Sequence, residues 1–322
     1  MPGPEAMLGI DPVVEGIILG YKNNNYIGLE LFPYFPFDYD GGTVPIFGKE
    51  YNRRGQTAYA IGAQVNMFDF TVSHCHITMH RHNAAVPLAD ERIQQWLIKG
   101  MAPEVIAAKL SMDKILMEHE FDCAGIAMAA GSYAAGLSQN AAAAWLAPAF
   151  GLIAQIFTQK AAVATLIGRK PNVFWCGQDV WDWGIILNTG VQTAAALARG
   201  FVTGATMPPD MITPEVFATI IGVDKVIIGK AMVASDIAPI TNAYVWADTA
   251  GLCYNPGADM FLEPHFGYTF RGQGFPQVKE AWRMEDRHSW VYEVNDHLGP
   301  QIVPPTHGAV ATESGYLWTN CI

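Results

Sequence analysis

The sequence predicts an α+β fold, and three observations point to it. Residues 103–128 carry apolar side chains at helical spacing and open on Pro103, which suits a first helical turn. Residues 136–262 alternate helical segments with short apolar strands. Residues 37–85 and 263–310 have strand character, the first region punctuated by Gly41, Gly42, Gly48, Gly55 and Gly62.

The chain opens with residues 1–36, which are expected to form an arm. Pro2, Pro4, Pro12, Pro33 and Pro36 interrupt helix formation, while YIGLELFPYFP is rich in aromatic residues. An apolar segment without a core of its own must dock on something. Deleting residues 1–35 is therefore expected to leave a folded, soluble protein that no longer assembles with its copies. Residues 37–85 follow as an extended β excursion ending in VNMFDFTVSHCHITMH. A lone two-stranded ribbon is marginal in water, so it calls for a neighbour to pack on.

The helix over 103–128 would be a rod of roughly 39 Å. Ile106, Leu110, Met117, Phe121, Ala124 and Met128 recur at steps of three, four or seven and are expected on its buried face. Beyond it, Ala141–Ile167 is helix-rich and broken at Pro148, and the apolar run AAAAWLAPAFGLIA reads as a buried segment. That run is shorter than the roughly 20 residues of a membrane span. Val173–Cys176 reads as a buried strand and Gln178–Asn188 as a short helix. Thr213, Pro214 and Gly222 mark the start and stop of another helix. Val226–Ile228 and Ala243–Trp246 read as strands. In SWVYEV, Trp290, Tyr292 and Val294 alternate on one strand face.

The chain has 322 residues, 51% hydrophobic and only 15% charged, enough apolar material for a large core and some surface to be covered by partners. The net charge of -11 leaves no footprint for tight nucleic-acid binding. Cys75, Cys123, Cys176, Cys253 and Cys321 are odd in number and widely spread, which suggests reduced thiols in a cytosolic protein. The N-terminus MPGPEAMLGIDPVVEG, acidic and proline-broken, does not read as a signal peptide.

The candidate metal ligands are His74, His76, His80 and His82, four of the nine histidines within nine positions. On a single strand all four would share one face, with His74 and His82 about 27 Å apart, too far for one ion. A pair supplies two ligands, where zinc needs three or four, so a polar strand face at an interface is expected. His119-Glu120 lacks the second histidine of a zinc-protease helix, and Glu118 and Asp122 are expected on a solvated or inter-subunit face. Asp179, Asp182, Asp248 and Asp259 are expected at a helix start, in a helix, at a strand end and in a loop respectively, not as a catalytic pair. Ser132, Ser138 and Ser235 sit in no nucleophile elbow, and Gly272-Gln273-Gly274 matches no phosphate-binding loop. Trp175, Trp181 and Trp183, with Phe174, are expected to build core or interface, because only Arg169 and Lys170 lie near them. No catalytic, cofactor-binding or metal residue is assigned.

The blocks GRKPNVFWCGQDVWDWG, ITPEVFATIIGVDKVIIGKAMV, YVWADTAGLCYNP, EPHFGYTFR and AWRMEDRHSWVYEV stand in this order between Gly168 and Val294. Their order resembles that of the major capsid proteins of tailed bacteriophages with the HK97 fold, in the lambda-like branch, and NNNYIGLELFPYFP resembles that family's N-terminal arm. The resemblance covers roughly residues 18–320. It implies an N-terminal arm (1–36), an E-loop lying across a neighbouring subunit (37–85) and a peripheral (P) domain begun by a spine helix (86–135). It further implies an axial (A) domain (136–262), then a return segment of the P domain together with the C-terminus (263–322). It also implies a shell subunit that forms pentamers and hexamers of an icosahedral capsid around double-stranded DNA. A separate scaffolding protein, a portal, a possible decoration protein and weak non-specific contact with packaged DNA go with that role, as do assembly in the host cytoplasm and no membrane. The His-rich strand departs from the family pattern. An encapsulin-like compartment shell and a His-rich metal-binding enzyme are the alternatives.

Overall fold

The computed structural model describes residues 18, 21, 23–38, 41–47, 57, 72–201, 204–234, 240–256, 264–304 and 311–322. Gly48, Gly55, Gly62, Ser235 and Asp259 lie outside them. A four-residue helix, Gly28–Leu31, leads into β1 (Tyr34–Phe37). An antiparallel ribbon follows, made of β2 (Gly41–Phe47) and β3 (Val72–Thr78), with Thr43 opposite His76 and Pro45 opposite His74. The chain breaks at Met79 and continues as β4 (His80–Ala89), the helix Asp90–Ile98 and the long helix Pro103–Ala127.

The middle of the chain supplies β5 (Ser138–Asn140), the helix Leu152–Ile167, β6 (Val173–Gly177), a π-helical turn Val180–Ile185 and the helix Thr189–Ala198. Helix Pro214–Ile221 and β7 (Lys225–Gly229) come next, then a small ribbon of β8 (Met232–Ala234) and β9 (Asn242–Tyr244), and then β10 (Ala250–Cys253). The last strands are β11 (Gly267–Gly272), β12 (Gln277–Val278), β13 (Trp282–Met284), β14 (Ser289–Ile302) and β15 (Gly315–Thr319).

Two sheets organise these elements. In the first, β14 is the spine. β11, β12 and β13 pair in succession along one edge of it, β4 pairs along the other, and β1 extends β11 in parallel. The long helix packs across this sheet, burying Ala108, Met112, Ile115 and Leu116 against Val278, Val294 and Leu298. The second sheet runs β5-β15-β10-β6-β7, with β6 and β10 buried along their whole length. Helices Leu152–Ile167, Thr189–Ala198 and Pro214–Ile221 share its apolar core, which reaches Leu31, Phe32, Cys123 and Ala127 beside the first sheet.

Local chemistry sets the helix ends. Pro103 occupies the first turn of the long helix, where its missing N–H is no loss, and the Tyr133 hydroxyl donates to the terminal carbonyl of Ala127 at 2.7 Å. Asn188 caps the helix after it by accepting from Gly190 N and Val191 N, while its own amide donates to Phe150 O. Thr213 and Pro214 open the helix Pro214–Ile221 as expected, although the Thr213 hydroxyl makes no capping bond. Gly222 ends it at φ 64, a left-handed conformation that glycine adopts without strain.

Several expectations need correcting. Within the expected arm, Ile18, Ile27, Leu31 and Phe32 are buried, and Tyr34–Phe37 is a strand of the first sheet. Within the last part of the expected excursion, β4 begins at His80 and has ten register partners on β14. After the return segment, β15 near the C-terminus inserts between β5 and β10 of the second sheet. The expected strand Ala243–Trp246 stops at Tyr244, and Val245 and Trp246 lie in a turn. The run Ala141–Ala154 buries Ala141, Trp145 and Leu152 but exposes residues 146–149. On the long helix, Leu110 and Phe121 face outward. The buried stripe instead holds Ala107, Ser111, Ile115, His119, Glu120 and Cys123.

Candidate functional site

The ribbon interrupts the histidine run. His74 and His76 lie exposed on β3, and His80 and His82 lie on β4 beyond the break at Met79, so the four do not share one strand. No group of three or more His, Cys, Asp or Glu among the described residues could hold a metal ion. Gln301 Nε2 donates to the His76 carbonyl at 2.7 Å, fixing the ribbon base to β14. Beneath it, Val44, Ile77 and Met79 pack on Tyr268 and Phe270.

His119 and Glu120 are structural. His119 is buried, and its Nε2 lies 2.8 Å from Thr269 Oγ1. Thr269 spends its hydroxyl proton on Phe32 O at 2.9 Å, so the His119 ring donates to Oγ1. Burial pushes the His119 pKa down to about 3, with the positive charges of His82 and Arg271 acting in the same direction. Glu120 accepts from Ile27 N at 2.8 Å, Gly28 N at 2.6 Å and Trp246 Nε1 at 2.6 Å. As expected, the flanking Glu118 is exposed, while Asp122 is half-buried.

Asp179, Asp182 and Asp248 do approach one another. Burial, then the charges of Asp248 and Asp182, raise the Asp179 pKa. Asp182, half-buried, accepts from Gln178 Nε2 at both oxygens, and Asp248 is exposed in a turn. Trp175 and Trp181 are core side chains, stacked edge-on against Trp246 and Phe217 respectively, whereas Trp183 is 58% exposed.

What the chain does present is apolar surface around complete cores. On the second-sheet module Phe157, Trp183, Leu197, Phe201 and Met211 stand exposed. The helix Asp90–Ile98 buries none of its residues, and Leu97, Ile98 and Met101 at its end are open, Ile98 to 85%. In a lone chain these side chains face water. Sequence reasoning missed these residues because periodicity reports that a side chain is apolar, not which neighbour covers it.

No protein-family profile matches the chain. Among curated proteins it is 26% identical over 316 residues to the major capsid protein of Burkholderia phage BcepMu, covering 96% of this chain and 95% of that one. Among solved structures it superposes on a phage-related protein from Bordetella bronchiseptica RB50 with a TM-score of 0.72 and 22% identity, over 97% of both chains. The capsid of the cyanophage P-SCSP1u gives a TM-score of 0.54 at 12% identity, over 93% of this chain and 89% of that one. The fold defines the class: an HK97-like capsid fold that mixes helix and sheet. Over almost its whole length the chain is similar in sequence to a phage major capsid protein, and it shares its fold with a solved phage capsid.

Proposed function

We propose that copies of this chain assemble into pentamers and hexamers of an icosahedral shell that encloses the double-stranded DNA of a tailed phage. The observation that carries this reading is the end-to-end likeness to a major capsid protein, over 96% of this chain and 95% of the relative. The exposed apolar side chains on both modules supply surface for many contacts per subunit, each of ordinary size and strong in sum.

In this reading the second-sheet module is the axial domain, completed by the C-terminal strand β15. The first sheet and the long helix form the peripheral domain. The ribbon of β2 and β3 is the base of an E-loop that reaches over a neighbour, and the arm is the chain ahead of Ile18. A scaffolding protein and a portal assist assembly in the host cytoplasm, and a decoration protein is compatible with the lattice. Contact with packaged DNA is weak and non-specific, in keeping with the net charge of -11. The chain carries no catalytic role, and His74 and His76 on β3 and His80 and His82 on β4 are polar strand positions without a metal.

Electron microscopy of the purified protein, with assay of nuclease-protected nucleic acid and elemental analysis, tests this. Closed, metal-free particles that hold double-stranded DNA when made during infection support it. Particles filled with a cargo protein instead, or a discrete enzyme with stoichiometric metal, overturn it.

A further inference from the structure

Glu120 stands where three parts of the chain meet. It projects from the long helix, is almost fully buried, and among the described residues receives only neutral donors. Ile27 N and Gly28 N come from the N-terminal segment, and Trp246 Nε1 comes from the turn before β10. Hydrogen bonds to a buried carboxylate are charge-assisted, and losing one leaves a buried polar group stranded.

The packing around the carboxylate leaves little slack. A Cβ at Gly28 would stand 2.7 Å from Glu120 Oε2 and 3.1 Å from Cys123 Cβ. The Trp246 ring rests on Gly229, where a Cβ would lie 2.5 Å from its Cδ1, and a Cβ at Gly177 would lie 1.8 Å from the Trp246 carbonyl oxygen. Gly177 and Gly229 are register partners on β6 and β7, so Trp246 sits in a notch cut by two glycines in the second sheet. The N-terminal segment is tied to that sheet again where Glu30 pairs with Lys225 of β7 at 2.8 Å. It is tied to the first sheet where Thr269 donates to Phe32 O.

We propose that Glu120 is a coupling latch: through Trp246 on one side and Ile27 and Gly28 on the other, it makes the path of the N-terminal segment depend on how the second-sheet module sits against the long helix. A shift of Trp246 with its sheet pulls on Oε1, the same oxygen that holds Ile27 N, and so re-aims the chain ahead of Ile27. The latch is a property of the folded subunit and stands apart from the shell assignment.

Hydrogen–deuterium exchange of the full-length chain tests it with two variants. Trp246→Phe keeps an aromatic ring in the glycine notch but removes the Nε1 donor. Glu120→Gln keeps the shape but turns an amide N–H toward Gly28 N. Peptides covering residues 23–32 are expected to exchange at least about tenfold faster in both variants, while peptides within β14 keep wild-type rates. The decisive comparison is Trp246→Phe, which touches neither Ile27 nor Gly28. Wild-type exchange over 23–32 in that variant overturns the coupling, and it can be read even if Glu120→Gln fails to fold. Exchange is read on the folded chain whether or not shells form, so failure of the latch and failure of the shell proposal are separate results.

Discussion

Arg271 holds Asp296 through two parallel hydrogen bonds, Nε to Oδ1 at 3.1 Å and Nη2 to Oδ2 at 2.7 Å, with the Asp296 side chain fully buried. The guanidinium also lies 4.6 Å from the centre of the Tyr34 ring, so one arginine joins β11, β14 and β1. Removing one partner leaves the other charge stranded. Asp296→Ala is expected to destabilise the chain by about 3–5 kcal/mol, measured by urea denaturation. Arg271→Lys keeps the charge but not the two-pronged geometry and is expected to lose stability as well. Wild-type stability in Asp296→Ala would show the pair to be idle.

Lys160 closes the C-terminus of the helix Pro214–Ile221. Its Nζ donates to Ile221 O at 2.7 Å and Gly222 O at 2.6 Å, which puts a positive charge at the negative end of the helix dipole. Lys160→Met keeps the aliphatic stem and removes both bonds. A loss of about 1–3 kcal/mol is expected, read as a lower midpoint in thermal or chemical denaturation.

His119 and His265 are both buried, and burial pushes each pKa down to about 3. The unfolded chain takes up a proton on each ring below about pH 6.5, and the folded chain resists until about pH 3. Stability from these groups is therefore intact above pH 6.5 and falls as the pH drops through that window, by at most about 1.4 kcal/mol per pH unit per ring. Facing His119 are Thr269, Cys123, Arg271 and His82. His119→Gln can still donate to Thr269, and its unfolding free energy should decline less steeply than wild type between pH 6.5 and 4. Equal slopes would contradict the assignment.

The boundary of the N-terminal arm yields to truncation. Deleting residues 1–17 leaves the buried Ile18, Ile27, Leu31 and Phe32 in the chain, and a cooperatively folded protein is expected. Deleting residues 1–35 takes away Leu31 and Phe32, both fully buried, and half of β1, and is expected to yield insoluble or molten protein. Circular dichroism and a denaturation curve separate the two outcomes. A fully stable 36–322 fragment would restore the longer arm.

Periodicity and cap residues made much of this fold legible. Pro103, Pro214 and Gly222 marked helix boundaries that the structure keeps, and the unbroken apolar run at Val173–Cys176 is a strand buried on both faces. The long helix was visible, but its buried face was not. That face carries Ser111, His119 and Glu120, polar groups that pattern assigns to solvent and that are satisfied by Tyr292, Thr269, Ile27, Gly28 and Trp246 from distant sequence. The insertion of β15 beside β10 was equally hidden, because register between strands some 60 residues apart leaves no local trace. The histidine run was legible as a polar strand face, but not as two strands parted at Met79.

The central claim is self-assembly of the intact chain, and sedimentation velocity on concentrated full-length protein tests it most directly. A discrete, fast-sedimenting boundary far above a 35.1 kDa monomer, or stable pentamers and hexamers that convert to it, is the predicted result. A single monomer boundary at every concentration, from protein that is fully folded, would contradict it.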